Sequence, residues 1–472
     1  MSQPWSLTYL LMYQVMHLGL FNRDSLVESV ARRQGSAVNF RVGGTSGDFS
    51  TLVLDQAEAV IIPPDEIGNN VAYNITIGPS WFEGFRNFPG VEWVYQVPLV
   101  YLNKTNSIEG LKIAVSAIGA ENLFALEIGN EPDLYPAKWS PGDYASQWLA
   151  FDKTIRGEVS LPKGSIIQAG TIAGVGVGDW TLPNLFSTDI DSTNMVKTVS
   201  THYYQWFGVN PPEIERDLMN HTALVSTMAN TTLAAQFMSQ NYPSIPFVMG
   251  EVGTYPGAIN NYKVEQSFAA TLWNANFILY AMSQNVSRIS MQQGLGFGYS
   301  AWTPGLDPDN GNQGPGVWGP YYAFPFAADF IDGATDLQVV PVLQQEKLVA
   351  YAGYESERLS KLVIINLEVW NKTTSSPRPS REVKFQVPPT VTKAKAEKLT
   401  APGADVGEDI TWAGMRWTYQ SKGLPEQVIH DTEIISAVHK SLTVNIQSSQ
   451  AVMLSMLLDH EGIDPSQLLM CN

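Results

Sequence analysis

Short apolar runs alternate with amphipathic stretches through the first two thirds of the chain. The segments between the runs have apolar residues at helical spacing, most clearly in residues 107–119 and 262–284. Strands that alternate with helices form parallel sheets, so the pattern predicts a (β/α)8 TIM-type barrel with one strand unseen. The strand-like runs are residues 37–42, 92–100, 123–129, 165–170, 196–204, 246–251 and 296–302.

The unseen strand should be the first one of the barrel. Residues 8–16 are apolar enough to supply it, but their flanking pattern is poor. We therefore interpret residues 1–21 as an atypical segment, a gene-model artefact in which the first strand is missing or replaced. The expected consequence is a barrel that is open at one seam, with backbone N–H and C=O groups left unpaired along that edge.

After residue 335 the pattern changes to short β-rich runs that are separated by turns, with no sustained helical period. Such a pattern is typical of an all-β sandwich. The sequence therefore predicts a catalytic barrel domain over residues 22–334 and a C-terminal β-sandwich domain over residues 335–472. The runs are residues 347–365, 383–387, 395–400, 410–417, 442–446 and 451–457.

Composition then narrows the kind of partner. The chain has 28 Lys and Arg against 45 Asp and Glu, a net charge of −17, which argues against nucleic acid and against a polyanion-binding groove. Cys471 is the single cysteine, so neither an internal disulfide nor a cysteine metal site can form. The apolar stretch at residues 6–21 is too short and too polar to span a membrane. We expect a monomer that needs no metal and no organic cofactor.

Six Asn-x-Ser/Thr sequons indicate a secreted glycoprotein, because such sites are used on the surfaces of exported proteins. Residues 1–21 nevertheless lack a basic start and a small-residue cleavage site, so a signal peptide is not visible. The sequon asparagines are Asn74, Asn103, Asn220, Asn230, Asn285 and Asn371.

Two glutamates follow buried strands in the same way. In residues 123–135, LFALEIGNEPDLY, the strand stops at a glycine and presents Asn130 and Glu131. In FVMGEVGTY the second strand meets a glycine and presents Glu251, 120 positions later (251 − 131). Carboxyl ends of barrel strands meet at one face, and two carboxylates about 5–5.5 Å apart there support retaining glycoside hydrolysis. The alternative is a chance pair of strand-terminal glutamates.

Other polar and aromatic residues end neighbouring strands. The Arg41 guanidinium could hold a catalytic carboxylate ionised, or could form a structural salt bridge with Glu127, which lies inside its strand. A tyrosine hydroxyl of His202-Tyr203-Tyr204 could orient the nucleophile. Trp302 and the aromatic segment 318–326 could form a sugar platform. Core packing is the alternative for each aromatic.

Taken together, these motifs resemble glycoside hydrolase family 79, in the retaining TIM-barrel glycosidase clan. The resemblance is to fungal members of a family that includes β-glucuronidases and heparanase, and it spans about residue 22 to about residue 457. The motifs that carry it are, in order, NFRVGG, ITIGPSWFEGF, ALEIGNEPDLY, THYY, GFGYSAW, PYYAFPFAADF and LTAPGADVGEDITWAGMRW.

The resemblance implies a secreted enzyme that removes terminal β-linked glucuronic acid, or 4-O-methyl-glucuronic acid, from glycans or glycosides. It implies that Glu131 is the acid/base and that Glu251 is the nucleophile. The substrate contacts that it implies are Asn130 on the sugar 2-hydroxyl, Tyr204 beside the nucleophile, Tyr322 near the glycone, and Tyr255, within residues 252–257, on the glucuronate carboxylate.

One departure from the family pattern keeps other functions open. Pro256 follows Tyr255 where relatives can offer a glycine N–H, and proline has none. The alternative that follows is a retaining β-glycosidase of another specificity, acting on a β-xyloside or β-galactoside. A missing or replaced first strand also leaves open a non-catalytic carbohydrate-binding paralogue. Endo-cleavage of an anionic polysaccharide is disfavoured by the net charge of −17, because such grooves need basic subsites.

Overall fold

The N-terminal part of the chain is a closed barrel of eight parallel strands. The structure, a computed structural model, describes residues 6–11, 23–67, 71–208, 210–256, 261–294, 297–303 and 314–458. The predicted barrel is thus confirmed. Its strands are β1 (Ser6–Leu11), β2 (Asn39–Val42), β3 (Glu92–Val97), β4 (Leu123–Ile128), β5 (Ile167–Ile172), β6 (Val196–Tyr204), β7 (Phe247–Gly253) and β8 (Arg288–Gln293).

Strand β1 closes the barrel, so the expected open seam is wrong. The backbone of Tyr9 pairs with Phe40 of β2 on one side and with Met291 of β8 on the other. Closure leaves no unpaired edge in the sheet, which removes the destabilisation that an open seam would cause. Residues 12–16 of the predicted first-strand segment, and the remainder of residues 1–21 apart from β1, lie outside the described residues.

The sequence pattern predicted residues 296–302 as the last barrel strand. The structure shows that this strand is β8, residues Arg288–Gln293. Residues 295 and 296 lie outside the described residues, and the region contributes only Trp302–Thr303, which pairs with Gly316–Val317. Strand β8 escaped notice because Ser290 and Gln292 are polar although buried, so the run lacks continuous apolar character.

Helices surround the barrel and connect its strands. A small sheet of Ser50–Leu52, Val60–Ile61 and Ile75–Ile77 lies in the connection from β2 to β3. The helices are α1 (Arg23–Gln34), α2 (Thr45–Asp48), α3 (Lys104–Ile118), α4 (Pro141–Glu158), α5 (Leu182–Phe186), α6 (His221–Thr227), α7 (Ala229–Asn241), α8 (Tyr262–Glu265), α9 (Phe268–Ser283) and α10 (Ala323–Ile331), with 3-10 turns at Pro79–Asn87, Pro132–Leu134 and Gly319–Tyr322 and a π turn at Ile214–Leu218.

Successive residues of each barrel strand face opposite sides. In β4, Leu126 and Ile128 join the main hydrophobic core with the helices. The alternate position, Glu127, bonds Arg41 of β2 and Gln168 of β5, so these polar side chains meet inside the barrel. The inside is therefore a buried polar network, which explains why several barrel strands lack continuous apolar runs.

The C-terminal part is antiparallel β structure, as predicted. A nine-stranded sheet and a two-stranded sheet (β12 with β18) enclose a second hydrophobic cluster that includes Ala350 and Ile364, whereas Val349 and Tyr351 belong to the main core with the barrel helices. The strands are β9 (Gln338–Gln344), β10 (Leu348–Glu355), β11 (Arg358–Asn366), β12 (Ser380–Gln386), β13 (Val391–Thr400), β14 (Thr411–Trp412), β15 (Met415–Arg416), β16 (Glu426–Gln427), β17 (Glu433–Ser436), β18 (Ser441–Gln447) and β19 (Gln450–Leu458).

Among the described residues, the helices are all too short or too polar to cross a lipid bilayer.

Candidate active site

A sharp turn after β4 brings Glu131 to the carboxyl-terminal mouth of the barrel. Gly129 has φ 82°, and a Cβ there would lie 2.7 Å from the Tyr135 hydroxyl, so a side chain is not tolerated. Glu131 itself has a left-handed backbone, with φ 49°, and its N–H donates to the Thr171 carbonyl at 2.9 Å. A non-glycine residue in this conformation is strained, which is common where a side chain is aimed for function.

Asp48 of α2 fixes this turn from across the mouth. Its Oδ2 accepts the backbone N–H of Asn130 at 3.1 Å and the hydroxyl of Tyr135, and its Oδ1 accepts the N–H of Leu99 at 2.6 Å. Burial raises the pKa of Asp48 to about 6, although these hydrogen bonds oppose the shift. The sequence analysis missed Asp48, because nothing in its local pattern distinguishes it from any loop aspartate.

Glu251 of β7 is held by two donors. The Tyr204 hydroxyl donates to Oε1 at 2.6 Å, and Arg41 Nη1 donates to Oε2 at 3.1 Å. Gly44 faces the same group, since its φ is 104° and a Cβ there would lie 4.0 Å from Glu251 Oε2. The absence of a side chain at Gly44 keeps space beside the carboxylate.

Arg41 connects the two halves of the site. Its Nε donates to both oxygens of Glu127 at 2.8 and 3.0 Å, and its Nη2 donates to Asn130 Oδ1 at 2.7 Å. Burial alone would lower the pKa of Arg41, but the charges of Glu127, Glu251 and Glu131 raise it above its ordinary value, so the guanidinium stays charged. The predicted salt bridge with Glu127 is present, and it coexists with the contact to Glu251.

Glu131 has a different environment, although it carries the same functional group. Its side chain is 16% exposed, and its Oε1 lies 2.8 Å from Nδ1 of His202. Burial raises the pKa of Glu131 to about 7, and the negative charges of Asp133 and Glu127 add to the shift, while Arg41 opposes it. Glu131 is therefore largely protonated in mildly acidic solution.

His202 was not predicted as a partner of Glu131. It belongs to the inward face of β6, two residues before Tyr204, and its Nδ1 also lies 3.9 Å from Glu251 Oε2. Burial lowers the pKa of His202 to about 4, so the imidazole is neutral near pH 7. The only signal in the sequence is the shared parity of His202 and Tyr204, which points both side chains to the same side of the strand.

The two carboxylates lie close together. One oxygen of Glu131, one of Glu251 and a nitrogen of His202 are all within 4.8 Å of one another. This separation is near the 5–5.5 Å typical of retaining glycosidases and well below the roughly 6.5–9.5 Å of inverting ones. The arrangement brings the buried carboxyl group of Glu131 next to the Glu251 carboxyl group, which Arg41 and Tyr204 hold.

The same three residues also form a possible metal-ligand set, but their surroundings fit a cation poorly. The charged guanidinium of Arg41 already donates to Glu251 and to Asn130, so a metal ion would lie beside a fixed positive charge. Like charges at this range repel strongly in a buried site. Arg41 supplies the positive charge that a metal would otherwise supply.

The remaining predicted substrate residues differ in position. Within the described residues, Asn130 Nδ2 donates to no protein group and is available to a ligand, whereas Tyr255 is buried, with 6% exposure, directly after β7. Residue 257, the end of the predicted carboxylate loop, lies outside the described residues.

Two of the predicted aromatic residues are buried in packing contacts. Tyr322 was expected near the glycone, but its hydroxyl donates to the Trp417 carbonyl at 2.8 Å and accepts the Trp417 N–H at 3.1 Å, against the C-terminal sheet. Trp302 has no exposed surface, so it does not offer an open sugar platform. Packing of the barrel against the C-terminal sheet explains the placement of Tyr322.

Comparisons with known proteins agree with this geometry. Residues 350–453 match the family model described as the glycosyl hydrolase family 79 C-terminal beta domain. The chain is 28% identical to a β-glucuronidase of Aspergillus niger, with 93% of this chain and 87% of that protein covered, and 26% identical to a β-glucuronidase of Neurospora crassa, with 85% and 81% covered.

Solved structures show the same fold. A 4-O-α-L-rhamnosyl-β-D-glucuronidase from Fusarium oxysporum superposes with a TM-score of 0.81 at 18% identity, over 96% of this chain and 97% of that one. A family 51 arabinofuranosidase from Xanthomonas axonopodis superposes with a TM-score of 0.60 at 13% identity, over 96% of both chains.

The barrel, its C-terminal β domain and the pair of strand-terminal carboxylates define a glycoside hydrolase. The match of residues 350–453 to the family model, and the two curated relatives that match most of the chain's length, make the chain similar to glycoside hydrolase family 79.

Proposed function

We propose that this protein is a retaining β-glucuronidase in which Glu131 is the acid/base and Glu251 is the nucleophile. The observation that carries the proposal is the unequal environment of two carboxylates whose oxygens lie within 4.8 Å. Burial and neighbouring acids raise the pKa of Glu131, whereas Arg41 and Tyr204 donate to Glu251. Carboxyl groups whose environments separate them in this way take the acid and the nucleophile roles.

In the first step Glu251 attacks the anomeric carbon and forms a glycosyl ester. The bond from the anomeric carbon to the leaving oxygen breaks, and that oxygen takes the proton of Glu131. Oε1 of Glu131 lies against His202 Nδ1. If the ring proton is on Nδ1, it holds that oxygen and leaves the other carboxyl oxygen to carry the transferred proton.

In the second step Glu131, now ionised, removes a proton from water. The water oxygen bonds to the anomeric carbon, the ester to Glu251 breaks, and Glu131 regains its proton. Arg41 and Tyr204 stabilise the Glu251 carboxylate as it leaves. The net reaction adds one water across the glycosidic bond, and the product keeps the β configuration.

The sugar specificity rests on the relatives and on the loop after Glu251. Both curated relatives are β-glucuronidases, and the Fusarium enzyme is described as acting on a 4-O-substituted glucuronide. We propose terminal glucuronic acid, free or 4-O-methylated, as the glycone, with Tyr255 meeting its carboxylate and Asn130 Nδ2 meeting its 2-hydroxyl. If Pro256 abolishes carboxylate recognition, a neutral β-glycoside becomes the preferred substrate.

We further propose that the protein is a secreted fungal glycoprotein that acts as a monomer. All six sequon asparagines have at least partly exposed side chains, as glycosylation requires. Asn103 and Asn220 are the less favourable acceptors, because their side chains cap α3 and α6 by accepting the N–H groups of Asn106 at 3.3 Å and Ala223 at 3.0 Å.

A chromogenic β-glucuronide with wild-type protein and a variant pair tests the function. Glu131→Gln and Glu251→Gln should each abolish most turnover, whereas Glu109→Gln, on the exposed side of α3, should not change it. Proton NMR of the wild-type reaction should show β-glucuronic acid as the first product. An initial α product, or wild-type rates in either variant of the acid pair, would refute the mechanism.

A further inference from the structure

The most exposed large apolar side chains are concentrated on the face that carries the acid pair. Among the described residues, four are at least 65% exposed: Ile67, Leu134, Val177 and Phe207. Each lies in a connection that follows the carboxyl end of a barrel strand, after β2, β4, β5 and β6 respectively. Scattered apolar residues are normal on protein surfaces, and Leu233 and Val438, elsewhere in the molecule, are 63% and 62% exposed. Exposure alone therefore does not define a binding surface, and the contacts that fix these side chains around the acid pair have to be considered.

Leu134 and Val177 are fixed beside Glu131 by a shared anchor. The Leu134 N–H donates to the Glu131 carbonyl at 2.9 Å. Asp133, which lies between Glu131 and Leu134 in the sequence, accepts the N–H groups of Ala173 and Gly174 at 3.0 and 2.9 Å. Asp133 therefore ties the loop after β5 to the turn that presents Glu131.

Val177 folds over the anchored part of this loop. Its N–H donates to the Gly174 carbonyl at 3.0 Å, and a Cβ on Gly174 would lie 3.3 Å from Val177 Cγ2 and 3.6 Å from Asp133 Oδ2. Val177 nevertheless stays 65% exposed. The backbone hydrogen bond thus fixes the position of Val177, while its side chain stays exposed to solvent.

Phe207 lies on the next loop, beyond His202 and Tyr204. Its ring centroid is 6.1 Å from that of Tyr204, at an interplanar angle of 77°, and the side chain is 70% exposed. Tyr204 in turn donates to the nucleophile candidate Glu251. Phe207 therefore extends an aromatic surface outward from the reacting centre.

We propose that Leu134, Val177 and Phe207 form a leaving-group subsite, the apolar rim, for a hydrophobic aglycone. This inference rests on the proposed function. The leaving oxygen must lie against Glu131, and Glu131 is contacted by β5 through Thr171 and by β6 through His202. We therefore place the group on that oxygen beside the loops after β4, β5 and β6.

The charge of this region favours the same occupant. Asp133 lies beside Glu131 and raises its pKa by its negative charge, and the chain as a whole carries a net charge of −17, so an acidic glycan on the leaving side would be repelled. An alkyl, aryl or other apolar aglycone instead removes exposed apolar surface from water on both partners.

A pair of alkyl glucuronides measures the rim directly. For wild-type protein we expect kcat/KM for octyl β-glucuronide to exceed that for methyl β-glucuronide about tenfold, since several CH2 groups become buried. In the triple variant Leu134→Ser, Val177→Ser, Phe207→Ser this ratio should fall to about one. Leu233→Ser, which alters a 63% exposed leucine on α7, is the matched control and should keep the wild-type ratio.

The single variants Leu134→Ser and Val177→Ser keep the test valid if the triple variant does not fold, and each should lower the ratio about two- to threefold. Equal ratios in the single variants and in wild-type protein would overturn the rim. So would a higher wild-type kcat/KM for a glucuronosyl-galactose disaccharide than for the octyl glucuronide. If wild-type protein hydrolyses the chromogenic β-glucuronide but neither alkyl glucuronide, the apolar rim is refuted and the proposed function stands. If it hydrolyses none of the three, both are refuted.

Discussion

Identical side chains at the barrel mouth have different chemistry because of their neighbours. Glu251 receives hydrogen bonds from Arg41 and Tyr204, and Glu131 is buried beside Asp133 with neutral His202 as its partner. The proposed role of Glu131 as proton donor therefore depends on its protonation state, which kinetics can measure.

The pH profile is the first prediction. Burial raises the pKa of Glu131 to about 7, and the acid acts in its protonated form, so kcat/KM for an alkyl glucuronide should decline as pH rises through about 7. For a dinitrophenyl glucuronide, whose leaving group needs no proton, this decline should be much weaker. The same alkaline decline with both substrates would contradict the assignment of Glu131.

His202 gives the second prediction. We expect His202→Ala to lower kcat/KM for an alkyl glucuronide about 10- to 100-fold, because the hydrogen bond that positions Glu131 is lost. With the dinitrophenyl substrate the loss should be much smaller. His202→Asn, which can also donate to Glu131, should recover part of the activity. Equal losses with both substrates would indicate a purely structural role.

The sequence identified the two glutamates because each directly follows a buried strand and a glycine. It did not identify Asp48 or the role of His202, because their contacts cross the barrel between strands that are far apart in the chain. It did not identify the partner of Tyr322 either, since the C-terminal domain supplies that partner, Trp417.

At the scale of elements, the loop after β7 is held at its two ends by one buried acid. Glu265 of α8 accepts the Thr254 hydroxyl at 2.8 Å and the Asn261 N–H at 3.0 Å. The side chain is 1% exposed, and burial raises its pKa to about 7. This loop carries Tyr255, the proposed contact for the glucuronate carboxylate.

Glu265→Gln is the third prediction. A raised carboxyl pKa contributes stability below the unfolded pKa of about 4.3, and this stability is lost as pH rises to about 7. Glutamine can keep both hydrogen bonds without a charge. Urea unfolding at about pH 4.5 should give equal free energies of unfolding for the wild-type protein and the variant. At about pH 8 the free energy of unfolding of the variant should be higher by up to about 3 kcal/mol. A less stable variant at the higher pH would contradict this.

Element prediction failed where the usual signals were absent. Strand β8 has polar inward residues, and residues 347–365 form a hairpin and not one strand. Its turn residues Ser356 and Glu357 both have positive φ, a conformation that glycine or asparagine usually marks. Strands with apolar residues on both faces, such as β4, were predicted close to their observed bounds.

At the scale of the whole molecule, the barrel and the C-terminal sheet share one hydrophobic core. Val349, Tyr351, Val363 and Ile365 of the sheet pack into the cluster that contains the barrel helices. A buried hydrogen bond from the Tyr351 hydroxyl to Asn276 Oδ1 of α9, 2.7 Å long, joins the two parts. We therefore expect them to unfold together.

Tyr351→Phe is the fourth prediction. It leaves Asn276 Oδ1 buried without its donor, which costs about 1–3 kcal/mol. Urea unfolding followed by tryptophan fluorescence should show a single transition at lower denaturant. Tyr354→Phe on the same strand is the control, because its hydroxyl makes no hydrogen bond among the described residues. Two separate transitions would contradict a shared core.

The barrel and the β-sandwich were predictable because strand–helix alternation gives way to short strands along the chain. Closure by β1 was not, because pairing with β2 and β8 depends on both neighbours and not on the segment's own flanks. The packing of one sheet face on the barrel helices likewise has no local signal.

Trapping the glycosyl–enzyme would identify the nucleophile. A 2-deoxy-2-fluoro-β-glucuronosyl fluoride should inactivate the wild-type protein, and mass spectrometry of its peptides should find one sugar, on Glu251. An ester on Glu131 or on any other residue would contradict the account.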